Sequence, residues 1–298
     1  MQIGILGIGG IGGFLAATLS KNNNNVTCIT NKETLDFIEN RKLKFISQSF
    51  GNSTINVNAC CNLNKPLDIL FITTKNQYLK ESVKRMPEIY IKNCMIIPLL
   101  NGVGHRDFLK EIYRDLLVTG NIGSIEVEKT LNNISHISHK LKPMIEMASS
   151  NNSLNIRLKS ICKILESAGI NTIISQEESY VTWSKLVRLD AISSFSAAYD
   201  MSIGELRSDA FIRAQMIDYI DETIKTASIE GYFTSSRIVM EQIDKLPYEL
   251  KTSMHKDIKA KRESELESIT GGVMGLALNN NIKIPNHNLI YNMIKLNN

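Results

Sequence analysis

Gly7-Ile8-Gly9-Gly10-Ile11-Gly12 has the spacing G-x-G-x-x-G, whose chemistry is the capture of a pyrophosphate on bare backbone amides. Alone, the hexapeptide is equally a plain strand-to-helix turn. Here it follows the apolar run Ile3–Leu6, opens a helical stretch over Ile11–Ser20 and leads to a second apolar run, Val26–Thr30. In that context Gly7 permits the tight turn, Gly9 lets a pyrophosphate approach, and Gly12 lets helix pack on strand. The amides of Ile8, Gly10 and Ile11 then face an anion at a helix N-terminus, where the dipole favours negative charge. At the end of the second strand, where a carboxylate would hold the ribose hydroxyls of NAD, stands Thr30-Asn31-Lys32. With no carboxylate to repel it, a 2′-phosphate can meet Asn31 and Lys32, which places NADP ahead of NAD. Lys32, with Glu33 beside it, also reads as a solvated residue at a helix start.

These residues need elements to position them. Ile3–Leu6, Val26–Thr30, Asp68–Thr73, Met95–Leu99 and Leu117–Gly120 read as buried strands, and Ile11–Ser20, Lys32–Asn40 and Gln77–Ile89 as the helices between them. That alternation predicts an α/β, Rossmann-type doubly wound sheet. Leu43–Ile46 and Thr54–Ala59 read as a hairpin or as extra strands. Beyond about residue 175 strand signals stop. Trp183–Ala198, Arg207–Gly231, Ser236–Ile243, Lys251–Asn279 and Asn286–Lys295 read as helices, an all-α C-terminal domain. The boundary falls near Gln176: a dinucleotide-binding domain over 1–176 and a helical substrate and catalytic domain over 177–298.

Composition bounds the class. The 298 residues are 43% hydrophobic and 21% charged, with a formal net charge of +4, which describes a globular chain and gives no argument for nucleic acid. No run has the length of a membrane span and no leader segment is visible. Cys28, Cys60, Cys61, Cys94 and Cys162 form no C-x-x-C pair, and His105, His136, His139, His255 and His287 have no metal spacing, so no metal is expected. An odd cysteine count without a framework suits a reducing, cytoplasmic setting.

Three further segments, in the right order, make the chain resemble the ketopantoate reductase (2-dehydropantoate 2-reductase) family over nearly its whole length. Thr74-Lys75-Asn76-Gln77 resembles the family's cofactor-side lysine segment. Asn101-Gly102-Val103-Gly104 resembles the Asn-Gly turn beside the nicotinamide. Trp183-Ser184-Lys185-Leu186 resembles the Trp-x-Lys-Leu segment whose lysine is the general acid. Ser253-Met254-His255-Lys256-Asp257 and Glu263-Ser264-Glu265 are similar to segments that carry a substrate-binding serine, a supporting aspartate and an active-site glutamate.

The resemblance implies NADPH-dependent reduction of a 2-oxo acid to a 2-hydroxy acid, ketopantoate to pantoate in pantothenate biosynthesis. It makes Lys185 and Glu265 catalytic, Lys75 and Asn101 cofactor-binding, and Asn101, Leu189, Ser193 and Ser253 substrate-binding, in a cleft between the domains. A small-molecule 2-oxo acid is then the partner, with a homodimer as a further expectation and no nucleic acid or membrane. The residues agree: hydride delivery leaves an alkoxide, and a lysine of lowered pKa can protonate it. One continuous helix over 251–279 would put Ser253 and Asp257 within roughly 40° of each other, with Glu265 roughly 80° further round and about 12 Å along. Taken singly, Lys185 and Glu265 also read as solvated helix residues, and Asn101-Gly102 as a turn.

Leu189, Ser193 and Ile203 stand where the family usually has asparagines, and Thr270-Gly271 where it has Asn-Gly. These departures bear on the substrate rather than on the reaction. Arg188 could hold a substrate carboxylate in place of a lost amide, or be a solvated surface residue. Reduction of a more apolar 2-oxo acid is the nearest alternative. A non-catalytic NADP-binding sensor is the other, and it would need neither Lys185 nor Glu265.

Overall fold

The computed structural model describes residues 1–22, 24–41, 43–55, 57–130, 133–138 and 141–296; His139 lies outside them. Its elements fall into two compact units. Residues 1–100 and 107–181 form one, and 101–106 with 182–298 form the other. The short segment Asn101–Arg106, inside the first domain by sequence, therefore belongs to the second unit.

In the first unit, strands β1 (Gln2–Leu6), β2 (Asn25–Ile29), β3 (Lys44–Ser47), β4 (Ser53–Thr54), β5 (Asn58–Cys60), β6 (Ile69–Ile72) and β7 (Met95–Pro98) are joined by helices α1 (Gly10–Ser20), α2 (Lys32–Arg41) and α3 (Asn76–Ser82). A wholly parallel sheet runs in the order β5-β2-β1-β6-β7, with Ile3 beside both Val26 and Ile69. Strands β6 and β7 are buried along their whole length, as apolar runs covered on both faces must be. This is the Rossmann-type sheet, and the carboxyl ends of β1, β2 and β6 deliver Gly7, Thr30 and Thr73 to one edge.

Helix α4 (Arg106–Tyr113) leads to β8 (Thr119–Gly123), β9 (Val127–Lys129), β10 (Asn133–His136) and β11 (Met144–Ala148), then α5 (Asn152–Ser167) and β12 (Asn171–Ile174). These build two smaller sheets, β4-β3-β10-β9 and β12-β11-β8. The first packs on α1, where a Cβ at Gly13 would meet Ile134 at 2.5 Å. The pair Leu43–Ile46 and Thr54–Ala59 divides: β3 and β4 are an antiparallel hairpin, while β5 joins the main sheet beside β2.

The second unit is helical, as expected: α6 (Glu178–Tyr199, in this unit from Thr182 onward), α7 (Ile203–Ser208), α8 (Ala210–Ala227), α9 (Ser236–Asp244), α10 (Ser253–Lys259), α11 (Gly272–Asn279) and α12 (Pro285–Leu296). Its core is Trp183, Phe195, Tyr219, Met216, Val273 and their neighbours.

Three expected helices are broken, each for a local reason. Gln77–Ile89 stops at Ser82 and continues as 3₁₀ turns around Pro87, whose ring disfavours helix at the preceding residue. Arg207–Gly231 divides at Asp209, whose carboxylate caps α8 by accepting from the amides of Phe211 and Ile212. The long helix over 251–279 is also absent. Helix α10 ends at Lys259, Lys261 takes a left-handed φ of 52°, and the chain re-enters helix through a π-helical turn, Glu267–Gly271. Ser253, Asp257 and Glu265 therefore do not share a helix face. The apolar positions kept helical spacing on either side of the break, which hid it.

Candidate active site

The dinucleotide cradle belongs to the first unit. Gly7 has φ 92°, and a Cβ there would lie 2.5 Å from the Thr74 methyl. A Cβ at Gly12 would lie 2.0 Å from the Gly7 carbonyl, the same oxygen that accepts from Thr73 Oγ1 at 2.7 Å. Gly9 differs: nothing lies within 4 Å of its Cβ position, and no side chain caps the start of α1. Two glycines close the turn and the third leaves bare backbone facing open space at a helix N-terminus, which fits a pyrophosphate. Ile8 is buried, Gly10 lies against the Val127 carbonyl, and Ile11 packs on the core.

Around the cradle, Asn31 is exposed and its Oδ1 accepts from the Thr34 amide at 2.8 Å, capping α2. Lys32 is exposed and pairs with Asp36 at 2.6 Å, one turn along α2. Lys75 stands at the N-terminus of α3, half-buried. Two cations missing from the sequence reading also reach this edge. Lys129 on β9 donates to the Ile8 carbonyl at 2.6 Å, and Arg85 donates to the Thr30 carbonyl at 2.9 Å. Neither carries a motif; only tertiary packing brings Lys129, on β9, and Arg85, in the 3₁₀ turn after α3, to the glycine turn and the end of β2.

The chemistry-bearing cluster lies wholly within the second unit. Lys185, on α6, donates from Nζ to Asn101 Oδ1 at 2.9 Å, and Asn101 Nδ2 donates to Glu265 Oε2 at 3.1 Å. The amide polarity is set by its neighbours, since an ammonium can only donate and an ionised carboxylate only accept. Burial lowers the Lys185 pKa to about 8; the Glu265 carboxylate opposes this, and the positive charge of Arg188 adds to it. A lysine so poised holds its proton at neutral pH and releases it more readily than an exposed one.

The second unit pins each member of this chain. Gly102 has φ 81°, and a Cβ there would fall 1.9 Å from the Ser268 carbonyl. That carbonyl accepts from the Val103 amide at 3.1 Å. Arg106 Nη1 at 2.6 Å and Trp183 Nε1 at 2.8 Å both donate to Glu230 Oε2, tying the segment to the start of α6. Glu265 precedes the π-helical turn, and its own carbonyl accepts from the amides of Ser268 and Ile269.

Other expected residues are placed differently. Leu189 is half-buried against the helical core. Ser193 is 1% exposed, and its buried Oγ has no hydrogen-bond partner among the described residues. Ile203 is fully buried at the start of α7. Ser253 is exposed on the first turn of α10, and Asp257 pairs with Arg262 at 2.9 Å. The structure thus joins Lys185, Asn101 and Glu265 and leaves Ser253 and Asp257 out of that chain.

The family model for ketopantoate reductase PanE/ApbA matches residues 3–150, and the model for its C-terminal domain matches residues 179–298. The chain belongs to the ketopantoate reductase family. It is an oxidoreductase that acts on a ketone and its CH–OH counterpart, with a nicotinamide dinucleotide as cofactor. A 2-dehydropantoate 2-reductase from Nostoc sp. is 24% identical, covering 98% of this chain and 93% of its own. One from Pyrococcus horikoshii is 22% identical, covering 99% and 97%. Among solved structures, a D-mandelate dehydrogenase with NADH and anilino(oxo)acetate superposes with a TM-score of 0.89 at 18% identity, covering 100% of this chain and 98% of that one. A PanE/ApbA family ketopantoate reductase from Ralstonia eutropha does so with 0.87 at 19%, covering 100% and 98%. These likenesses carry the fold.

Proposed function

We propose that the protein reduces the ketone of a 2-oxo acid to the 2-hydroxy acid with NADPH, as a 2-dehydropantoate 2-reductase does. The observation that carries this reading is the Lys185–Asn101–Glu265 chain. The bound dinucleotide supplies the hydride. Lys185 then protonates the developing alkoxide, and its charge stabilises that oxygen before the proton moves. Asn101 accepts from the ammonium and fixes where it points. Glu265 holds Asn101 in the polarity that this requires and, through its charge, keeps Lys185 protonated at neutral pH.

The absence of a carboxylate at Asn31 and Lys32 favours the 2′-phosphate of NADPH, with Lys129 and Arg85 as further cations that hydrogen-bond to the glycine turn and the end of β2. Leu189, one helical turn beyond Lys185, packs against the helical core, and the 2-oxo acid with a tail more apolar than that of ketopantoate is the reading to be tested against it. Assays that follow cofactor absorbance separate these points. NADPH is expected to outperform NADH, and ketopantoate is to be compared with 2-oxo acids carrying aliphatic or aryl tails. Turnover with no 2-oxo acid, although NADPH binds, would leave the cofactor-binding sensor as the reading that stands.

A further inference from the structure

Arg188 sits on α6 three residues beyond Lys185, a spacing that places two side chains as neighbours on one helix face. It is half-buried. Among the described residues its side chain makes one hydrogen bond, from Nη1 to Gln242 Oε1 on α9, at 3.3 Å. No carboxylate of the described residues lies within ion-pair range of it. The half-buried Arg85, Arg157 and Arg207 also lack one, but each donates to backbone carbonyls at 2.8 to 3.1 Å, whereas Arg188 has only the longer contact to Gln242. A guanidinium has five N–H donors, and none of those left over on Arg188 is sealed away from solvent without a partner. Its remaining donors therefore stay open to solvent and to an anion arriving from outside.

We propose that Arg188 is the anchor for the substrate carboxylate, its guanidinium fork taking the acid group while Lys185, its neighbour on the same face, takes the adjoining ketone oxygen. The assignment rests on the 2-oxo acid reading above and narrows it. The fork matches a carboxylate in two parallel hydrogen bonds, so the acid group is an obligatory handle. Leu189, next in sequence, adds an apolar surface and no hydrogen bond. The ligand class is a monocarboxylic 2-oxo acid, recognised by its acid and ketone groups rather than by hydroxyls on its tail. Proximity supports the pairing: burial lowers the pKa of Lys185, and the positive charge of Arg188 lowers it further. A bound carboxylate would screen that charge and favour the protonated lysine in the complex.

The experiment compares the wild type with Arg188→Met, which keeps the stem, and Arg188→Lys, which keeps the charge. It measures KM for a 2-oxo acid and for its methyl ester, together with calorimetric binding of oxamate, a non-reacting 2-oxo acid mimic, with and without NADPH. Thermal melts and NADPH affinity check that the variants fold. Arg188→Met should raise the acid's KM and weaken oxamate by roughly 10- to 100-fold, the weight of hydrogen bonds to a charged group. The ester's KM should barely move, and Arg188→Lys should recover part of the loss. A side chain that merely ties α6 to α9 through Gln242 would lower the melting temperature without changing acid-against-ester discrimination. Unchanged acid KM and oxamate affinity in Arg188→Met would overturn the anchor while leaving the reductase intact. Arg188-dependent oxamate binding without any turnover would do the reverse. A wild type that neither reduces a 2-oxo acid nor binds oxamate would overturn both.

Discussion

Lys185 is where the residue scale decides function. Its ammonium must be charged to donate, and its pKa lies at about 8, so kcat/KM should hold below that pH and fall as pH rises through it. The limb reports loss of the acid form. Lys185→Ala should lose the limb and lower kcat by roughly 10²–10⁴-fold, with NADPH affinity little changed; a variant with the wild-type rate and limb would remove the lysine from the chemistry. The glycine fingerprint was legible because its order, strand then turn then helix, is local. Lys185, Asn101 and Glu265 were legible through the family's segments, since nothing in their spacing of 84 and 164 residues shows that they meet. Lys129, Arg85 and the setting of Arg188 were not legible, because burial and tertiary approach have no signature in a single charged residue. Arg188 read more readily as solvated, and only the packing of α6 leaves it half-buried without a carboxylate partner among the described residues.

At the scale of elements, the site depends on two irregular pieces rather than on the long helices. One is the segment Asn101–Arg106; the other is the π-helical turn Glu267–Gly271. They meet where the Ser268 carbonyl receives the Val103 amide and leaves no room for a side chain at Gly102. Gly102→Ala therefore combines a left-handed backbone, costing roughly 1–2 kcal/mol for a non-glycine residue, with a clash against backbone that cannot swing aside. Asn101 should move by a fraction of an ångström or more. Since a displacement of about 1 Å can cost on the order of 10²-fold in rate, kcat should fall sharply, and by more than NADPH affinity does. A wild-type kcat in this variant would show that the turn does not position Asn101. These irregular pieces were also the least readable. The stretch Lys251–Asn279 reads as one unbroken helix because Met254, Ile258, Leu266 and Ile269 recur at helical spacing, yet the chain leaves the helix at Lys259 and re-enters after Lys261. Strands β9, β10 and β12 were missed for a related reason: they are three or four residues long and mixed or exposed in burial, without the continuous apolar run that marked β6 and β7. The mostly buried β11 carries Glu146 within its run.

At the scale of the whole molecule, the helical unit closes around a buried charged cluster. Asp190 and His287 are both fully buried. His287 Nε2 faces Asp190 Oδ2 at 3.1 Å, and Nδ1 faces Glu222 Oε2 at 2.7 Å. With a carboxylate at each nitrogen, the ring satisfies both as an imidazolium, stacked on Tyr219 at 3.7 Å between centroids. Burial alone would lower its pKa, but the hydrogen bonds and charges of Asp190 and Glu222 outweigh that and raise it above 6.5. Burial likewise pushes Glu222 up, and the hydrogen bonds from His287 and Asn286 bring it below 4.5. The signs then define a window. The histidine's contribution is complete below pH 6.5 and is lost as pH rises through its raised folded value. The glutamate's is complete above pH 4.5 and is lost as pH falls through its lowered one. The cluster should therefore stabilise the unit most between these two limits. It also reaches the site, because Asp190 Oδ1 accepts from Thr270 Oγ1 at 2.8 Å, within the π-helical turn that follows Glu265. His287→Ala leaves Asp190 buried without its counter-ion, a change of about 3–5 kcal/mol, or on the order of 10 °C in melting temperature for a unit of this size. The variant should also flatten the pH dependence of the melt above pH 6.5, where the wild type loses stability and the alanine variant has no imidazolium to lose. A melting temperature within a degree or two of wild type at pH 6, or an unchanged pH profile, would show that the imidazolium is not what holds this core together.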